Sequence, residues 1–110
     1  MKTSIALISA LFVATSAVVM AADVKENWEK NCASCHGKDG KGETKAGKKA
    51  DVKDLTDGKY QESFTDEQVI KQIQEGMKDK NGKEKMKPFV DKLSADEIKA
   101  LVAYVRAFKK

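Results

Sequence analysis

The sequence predicts an all-α domain of few helices joined by long loops. Two capping boxes, each followed by apolar residues at helical spacing, open two of the helices. No stretch alternates as a half-buried strand would. Two segments, Gly37 to Ala50 and Lys78 to Lys87, are rich in Lys and Gly and carry no apolar period.

The first helix is expected from about Val24 to Asn31, with Val24 and Trp28 on one face and Trp28 four residues before Cys32. The second begins at Thr65-Asp66-Glu67-Gln68, where hydroxyl and amide side chains can satisfy free backbone N–H groups reciprocally. Val69, Ile70 and Ile73 form its stripe and Gly76 ends it. The third begins at Ser94-Ala95-Asp96-Glu97 and carries Ile98, Leu101, Val102, Val105 and Phe108 at spacings of three and four. Arg106, Lys109 and Lys110 favour its negative end. Loops this long argue against a compact domain unless something they wrap around orders them.

The N-terminus has the three-part layout of a secretory signal: Met1-Lys2, an uncharged apolar run from Ile5 to Met20, then small residues at Ala21 and Ala22. A membrane-spanning helix takes about 20 apolar residues, so the run is short for an uncleaved anchor. Cleavage after Ala21 assigns residues 1–21 to the signal and 22–110 to one small domain, and cleavage after Ala22 is close behind. No second apolar run exists, so no transmembrane segment is expected in the mature chain. Loss of Lys2 lowers the formal charge from +4 to +3. So short a domain has a small core, and two cysteines cannot build a disulfide framework.

Cys32-Ala33-Ser34-Cys35-His36 is the attachment signal of a c-type haem. Two thiols one helical turn apart can each bond one vinyl group of the porphyrin, and the adjacent imidazole can bind the iron. Gly37 lets the backbone turn close to the ring. A redox-active Cys-x-x-Cys normally sits near a βαβ pattern, which this chain lacks. Zinc needs about four ligands, and no Cys or His remains beyond these three. A plain structural disulfide is the other competitor. The motif therefore assigns one covalent haem c per chain, with Cys32 and Cys35 as anchors and His36 as an iron ligand.

His36 is the only histidine, so the other axial ligand cannot be a second one from this chain. Met1 and Met20 leave with the signal. Met77 continues the stripe of the second helix and reads as a core residue. Met86 stands in Lys85-Met86-Lys87-Pro88, where no period explains an apolar side chain. It is the favoured ligand, with Met77 or an open position as alternatives. Two axial ligands leave no site for a substrate, which points to electron transfer rather than enzyme catalysis. A haem enzyme or gas-binding sensor with an open sixth site and a thiol–disulfide oxidoreductase are the alternative functions.

These residues resemble the small monohaem class I cytochromes c of bacteria. The resemblance spans nearly all of residues 22–110. It includes Trp28, the haem motif with Gly37, Asp39-Gly40-Lys41-Gly42, Ile73-Gln74-Glu75-Gly76, Met86-Lys87-Pro88-Phe89, Leu93 to Ile98 and Leu101 to Arg106. It implies the cytochrome c fold, its N- and C-terminal helices crossing and its loops wrapped around the haem. Trp28 would meet the terminal helix near Tyr104 or Val105, and Met86 matches the family's axial methionine. Leu55, Ile73, Phe89 and Leu93 would pack on the haem. The family often has a proline directly after that methionine, where Lys87 stands here. It also often has one after the haem motif, accepting from the proximal histidine, whereas Pro88 is this chain's only proline.

Charge is unevenly placed. Lys38 to Lys49 holds five lysines against Asp39 and Glu43, and Lys78 to Lys87 five against Asp79 and Glu84, whereas Asp57 to Glu75 holds five acids against Lys59 and Lys71. The basic loops flank His36 and Met86 in sequence and would steer acidic or membrane-bound redox partners to a monomeric, periplasmic or otherwise exported carrier. Without interleaved aromatic and basic residues, nucleic acid is not an expected partner.

Overall fold

The computed structural model describes residues 21–110. The expected signal, residues 1–21, lies outside them apart from Ala21, which opens the first helix. Helix α1 (Ala21–Asn31) runs into a single turn, α2 (Ala33–His36); α3 (Lys45–Ala50), α4 (Gly58–Glu62) and α5 (Asp66–Glu75) follow. A hairpin of β1 (Met77–Lys78) and β2 (Glu84–Met86) leads to α6 (Ala95–Ala107).

Both capping boxes form. The Thr65 hydroxyl accepts from Gln68 N–H while the Gln68 side chain accepts from Thr65 N–H, and Ser94 and Glu97 repeat the exchange. Glu97 also accepts from Asn27 of α1 at 2.9 Å, so the start of α6 is tied to α1. The backbone N–H of Ser94 first, then Asn27, holds the Glu97 carboxyl below the usual range. Helix α6 buries Ile98, Leu101, Val102 and Val105, the stripe its spacing predicts. That stripe and Trp28, Leu55, Ile73, Phe89 and Leu93 form one core. Trp28 crosses α6 with its ring 5.5 Å from Tyr104 and 5.1 Å from Phe108.

The short helices α3 and α4 were not expected, α3 falling within the Gly37–Ala50 loop, and three further features depart from the sequence expectation. The Lys78–Lys87 segment is a hairpin, because Asp79 Oδ1 accepts from Asn81 N–H (2.8 Å) and Lys83 N–H (2.9 Å) and so closes the turn. Met77 is not core: Gly76 takes φ +72° and ends α5, leaving Met77 on β1 and 38% exposed. Arg106 does not serve the helix end. Its Nε donates to Asp66 Oδ1 at 2.7 Å, its guanidinium donates to the carbonyls of Gln61 and Phe64, and its Cζ lies 4.4 Å from the Phe64 ring centroid.

Gln61 anchors that loop from inside. It is 2% exposed, and its Nε2 donates to the carbonyls of Leu55 (2.7 Å) and Val105 (2.8 Å). Methionine has a similar reach but no donor, so Gln61→Met leaves the Leu55 carbonyl without this donor and Val105 O with only the N–H of Phe108. We expect a loss of roughly 1–3 kcal/mol of stability, read as a lowered urea midpoint with an unchanged slope.

Candidate functional site

Helix α1 ends where its next N–H, that of Cys32, donates to Trp28 O at 2.9 Å. His36 N–H then donates to Cys32 O at 3.0 Å, so both sulfurs and the imidazole are carried on one turn. Gly37, at φ +79° and ψ +157°, turns the chain away; this backbone region is essentially glycine's alone. Its carbonyl accepts from Trp28 Nε1 at 3.0 Å, and Gly42 N–H donates to His36 O at 2.8 Å. Helix α3 covers the turn from outside. The Thr44 hydroxyl donates to Cys35 O at 2.7 Å, and a Cβ on Gly47 would run into that same carbonyl.

Cys32, Cys35 and His36 border a cavity of about 650 Å³, within the range of small-molecule and cofactor sites. Met77 and Met86 of the hairpin line the same cavity. Leu55, Ile73 and Phe89 also line it, as expected, whereas Leu93 is buried in the core without reaching it. Sequence reasoning missed Tyr60, Phe64, Val69 and Gln72 on the lining. Val69 alone carried a signal, as a member of the α5 stripe.

Met86 is half-buried and packs against the core. Its strand is fixed from three directions. Met86 pairs with Met77 across the hairpin. The N–H groups of Phe89 and Val90 donate to Ile73 O (2.9 Å) and Gln74 O (3.3 Å), two carbonyls at the end of α5. Gly76 presses against Met86 O and the nitrogen of Pro88, with no room for a side chain.

The two cysteines are not joined in a disulfide. Burial, and secondarily Cys35, pushes the Cys32 thiol up to about 12. A redox-active dithiol needs its nucleophilic thiol lowered, so this site is built the wrong way for one. Burial lowers the His36 pKa and favours neutral imidazole, the form that binds a metal. The ring packs on Trp28, centroids 5.6 Å apart, and Nδ1 is buried with no hydrogen-bond partner. Two thiols, a neutral imidazole and a thioether around an apolar cavity are a donor set that fits an iron porphyrin.

A family model described as cytochrome c oxidase, cbb3-type, subunit III matches residues 19–105. The chain belongs to this cytochrome c family. It is a small monohaem class I cytochrome c, its cofactor is covalent haem c, and its chemistry is electron transport. Among solved structures, the KustC0563 c-type cytochrome is 37% identical, over 78% of this chain and 96% of its own, with a TM-score of 0.68. A mutant of that protein is also 37% identical, over 79% of this chain and 99% of its own, with a TM-score of 0.67. No curated protein matches the chain.

The cytochrome's charge distribution differs from the sequence expectation. None of the five lysines between Lys38 and Lys49 lines the cavity. Lys30, Lys53, Lys85, Lys87 and Lys92 do, against Asp51 and Glu84. Only the hairpin, of the two basic loops, brings charge to the site.

Gly76 supports the methionine strand without touching the cavity. A Cβ there would meet strained backbone and the Met86–Pro88 chain together, so Gly76→Ala should lower stability by about 1–3 kcal/mol. Calorimetry of the haem-loaded protein measures the loss, and an unchanged melting temperature would contradict the packing described.

Proposed function

We propose that this cytochrome is an exported, soluble one-electron carrier in which Cys32 and Cys35 hold the haem and His36 and Met86 are its axial ligands. The observation that carries the reading is the shared cavity, where the hairpin's thioether joins the donors of α2. Met86 is preferred to Met77 because it is half-buried against the core while Met77 is 38% exposed. The haem supplies the Fe(III)/Fe(II) couple. The chain orients it, shields it with Leu55, Ile73 and Phe89, and fills both axial positions. A thioether favours Fe(II), which raises the reduction potential. With no axial position open, the protein transfers electrons without acting as an enzyme on a bound substrate.

Residues 1–21 serve as the signal on this reading, with the mature chain starting at Ala22, in the periplasm or beyond it. Among the described residues no helix is long and apolar enough to cross a membrane. The carrier works as a monomer that meets its partners through the cavity rim, where Lys30, Lys53, Lys85, Lys87 and Lys92 present positive charge to acidic surfaces.

Two experiments test this. The oxidised protein should show the weak red absorption band of an iron–thioether bond, kept in Met77→Leu and lost, with rapid carbon monoxide binding to the reduced form, when Met77 and Met86 are both leucine. Loss of the band in Met77→Leu alone would refute Met86 as the ligand. Electron transfer with the natural partner should slow steeply with added salt, and Lys85→Glu with Lys87→Glu should flatten that dependence. A rate indifferent to salt rules out steering.

A further inference from the structure

Met77 has no evident structural task. It stands beyond the end of α5, is 38% exposed, and contributes nothing to the buried core. Yet it lines the haem cavity, and its register partner on β2 is Met86.

Met77 and Met86 are partners across the hairpin, beside a bulge between Met77 and Lys78, and both line the one cavity. The hairpin thus offers two thioethers to one cavity. Gln72, one turn before the end of α5, also lines the cavity and donates its side-chain amide to the sulfur of Met77. Met77 thus sits beside Gln72 at the cavity and outside the buried core.

We propose that Met77 is a reserve axial ligand, able to take the iron position when Met86 leaves it. The inference rests on Met86 being the resident ligand. One iron–sulfur dative bond breaks and an equivalent one forms, with no proton or electron exchanged. The hairpin's backbone pairing stays intact, since both side chains already line the cavity. Loss of the Met86–iron bond would then pass ligation from one thioether to the other and keep the iron largely closed to exogenous ligands.

The test uses haem-loaded protein carrying ¹³C-methyl methionine, reduced so that the iron is diamagnetic. The methyl of a bound methionine lies over the porphyrin, and the ring current moves its resonance far upfield. Met86→Leu retains apolar volume and removes the donor, a swap cores tolerate at under about 1.5 kcal/mol. Circular dichroism and retention of covalent haem check that each variant is folded. The resident upfield methyl should vanish in Met86→Leu and a different one appear. That second signal should be absent from the double variant Met77→Leu/Met86→Leu. Carbon monoxide should bind the double variant about tenfold tighter than Met86→Leu, as expected if Met77 fills the position nine-tenths of the time.

A folded Met86→Leu protein with no upfield methyl, and equal carbon monoxide affinity in the two variants, would overturn the reserve role while leaving Met86 as the ligand. Loss of the wild-type upfield methyl in Met77→Leu instead would overturn both this inference and the ligation it rests on.

Discussion

Trp28 joins the parts of this molecule that must agree on one geometry. Its carbonyl accepts from the N–H of Cys32 and its indole N–H donates to the carbonyl of Gly37, so one residue brackets the attachment turn at both ends. Its ring meets His36, Tyr104 and Phe108. At 2% exposure it has no freedom to shift without moving the imidazole or the last helix. The crossing of α1 and α6 and the position of the histidine are therefore one constraint. The Asn27–Glu97 contact, on the residue before Trp28, extends the same seam to the start of α6.

A second constraint governs the other donor. Met86 belongs to a hairpin too short to be stable alone, and its placement comes from outside. The end of α5 does this work through two carbonyls and a glycine whose missing side chain admits the Met86–Pro88 backbone. The Thr65 capping box and the Arg106 contacts to Asp66 and to the carbonyl of Phe64 hold the other end of α5. The imidazole and the methionine thus hang from separate supports that meet only through the core. This is how a chain of few helices and long loops can bring an imidazole and a thioether to one cavity.

What the sequence discloses follows from how local each signal is. The boxes at Thr65 and Ser94, the α6 stripe and the haem motif all lie within one or two helical turns, and all appear where expected. The short helices do not announce themselves. Helix α3 consists of Lys, Ala and Gly residues and is fixed by the Thr44 cap and the Cys35 carbonyl, while α4 depends on the Asp57 cap and on Gln61 turning inward. Strands of two and three residues cannot show alternation, so the hairpin read as loop. Arg106 was misread because its partners lie 40 to 45 positions away, where local sequence carries no hint of them. Met77 was misread because Gly76 interrupts the period its spacing continued. The lysines of the cavity rim are scattered over Lys30, Lys53 and Lys92 as well as the hairpin, so counting charges along the chain could not gather them.

The concealment of Cys32 bears on the order of assembly. Its proton is held to about 12, and the residue, half-buried at the cavity, packs against the core that Trp28 and α6 complete. The burial that protects a finished thioether bond obstructs its making. On the proposed attachment, both bonds close while α6 is still undocked, and the newly joined porphyrin becomes the template on which Trp28 and the last helix settle. On that proposal, a polypeptide that collapsed early would hinder its own loading.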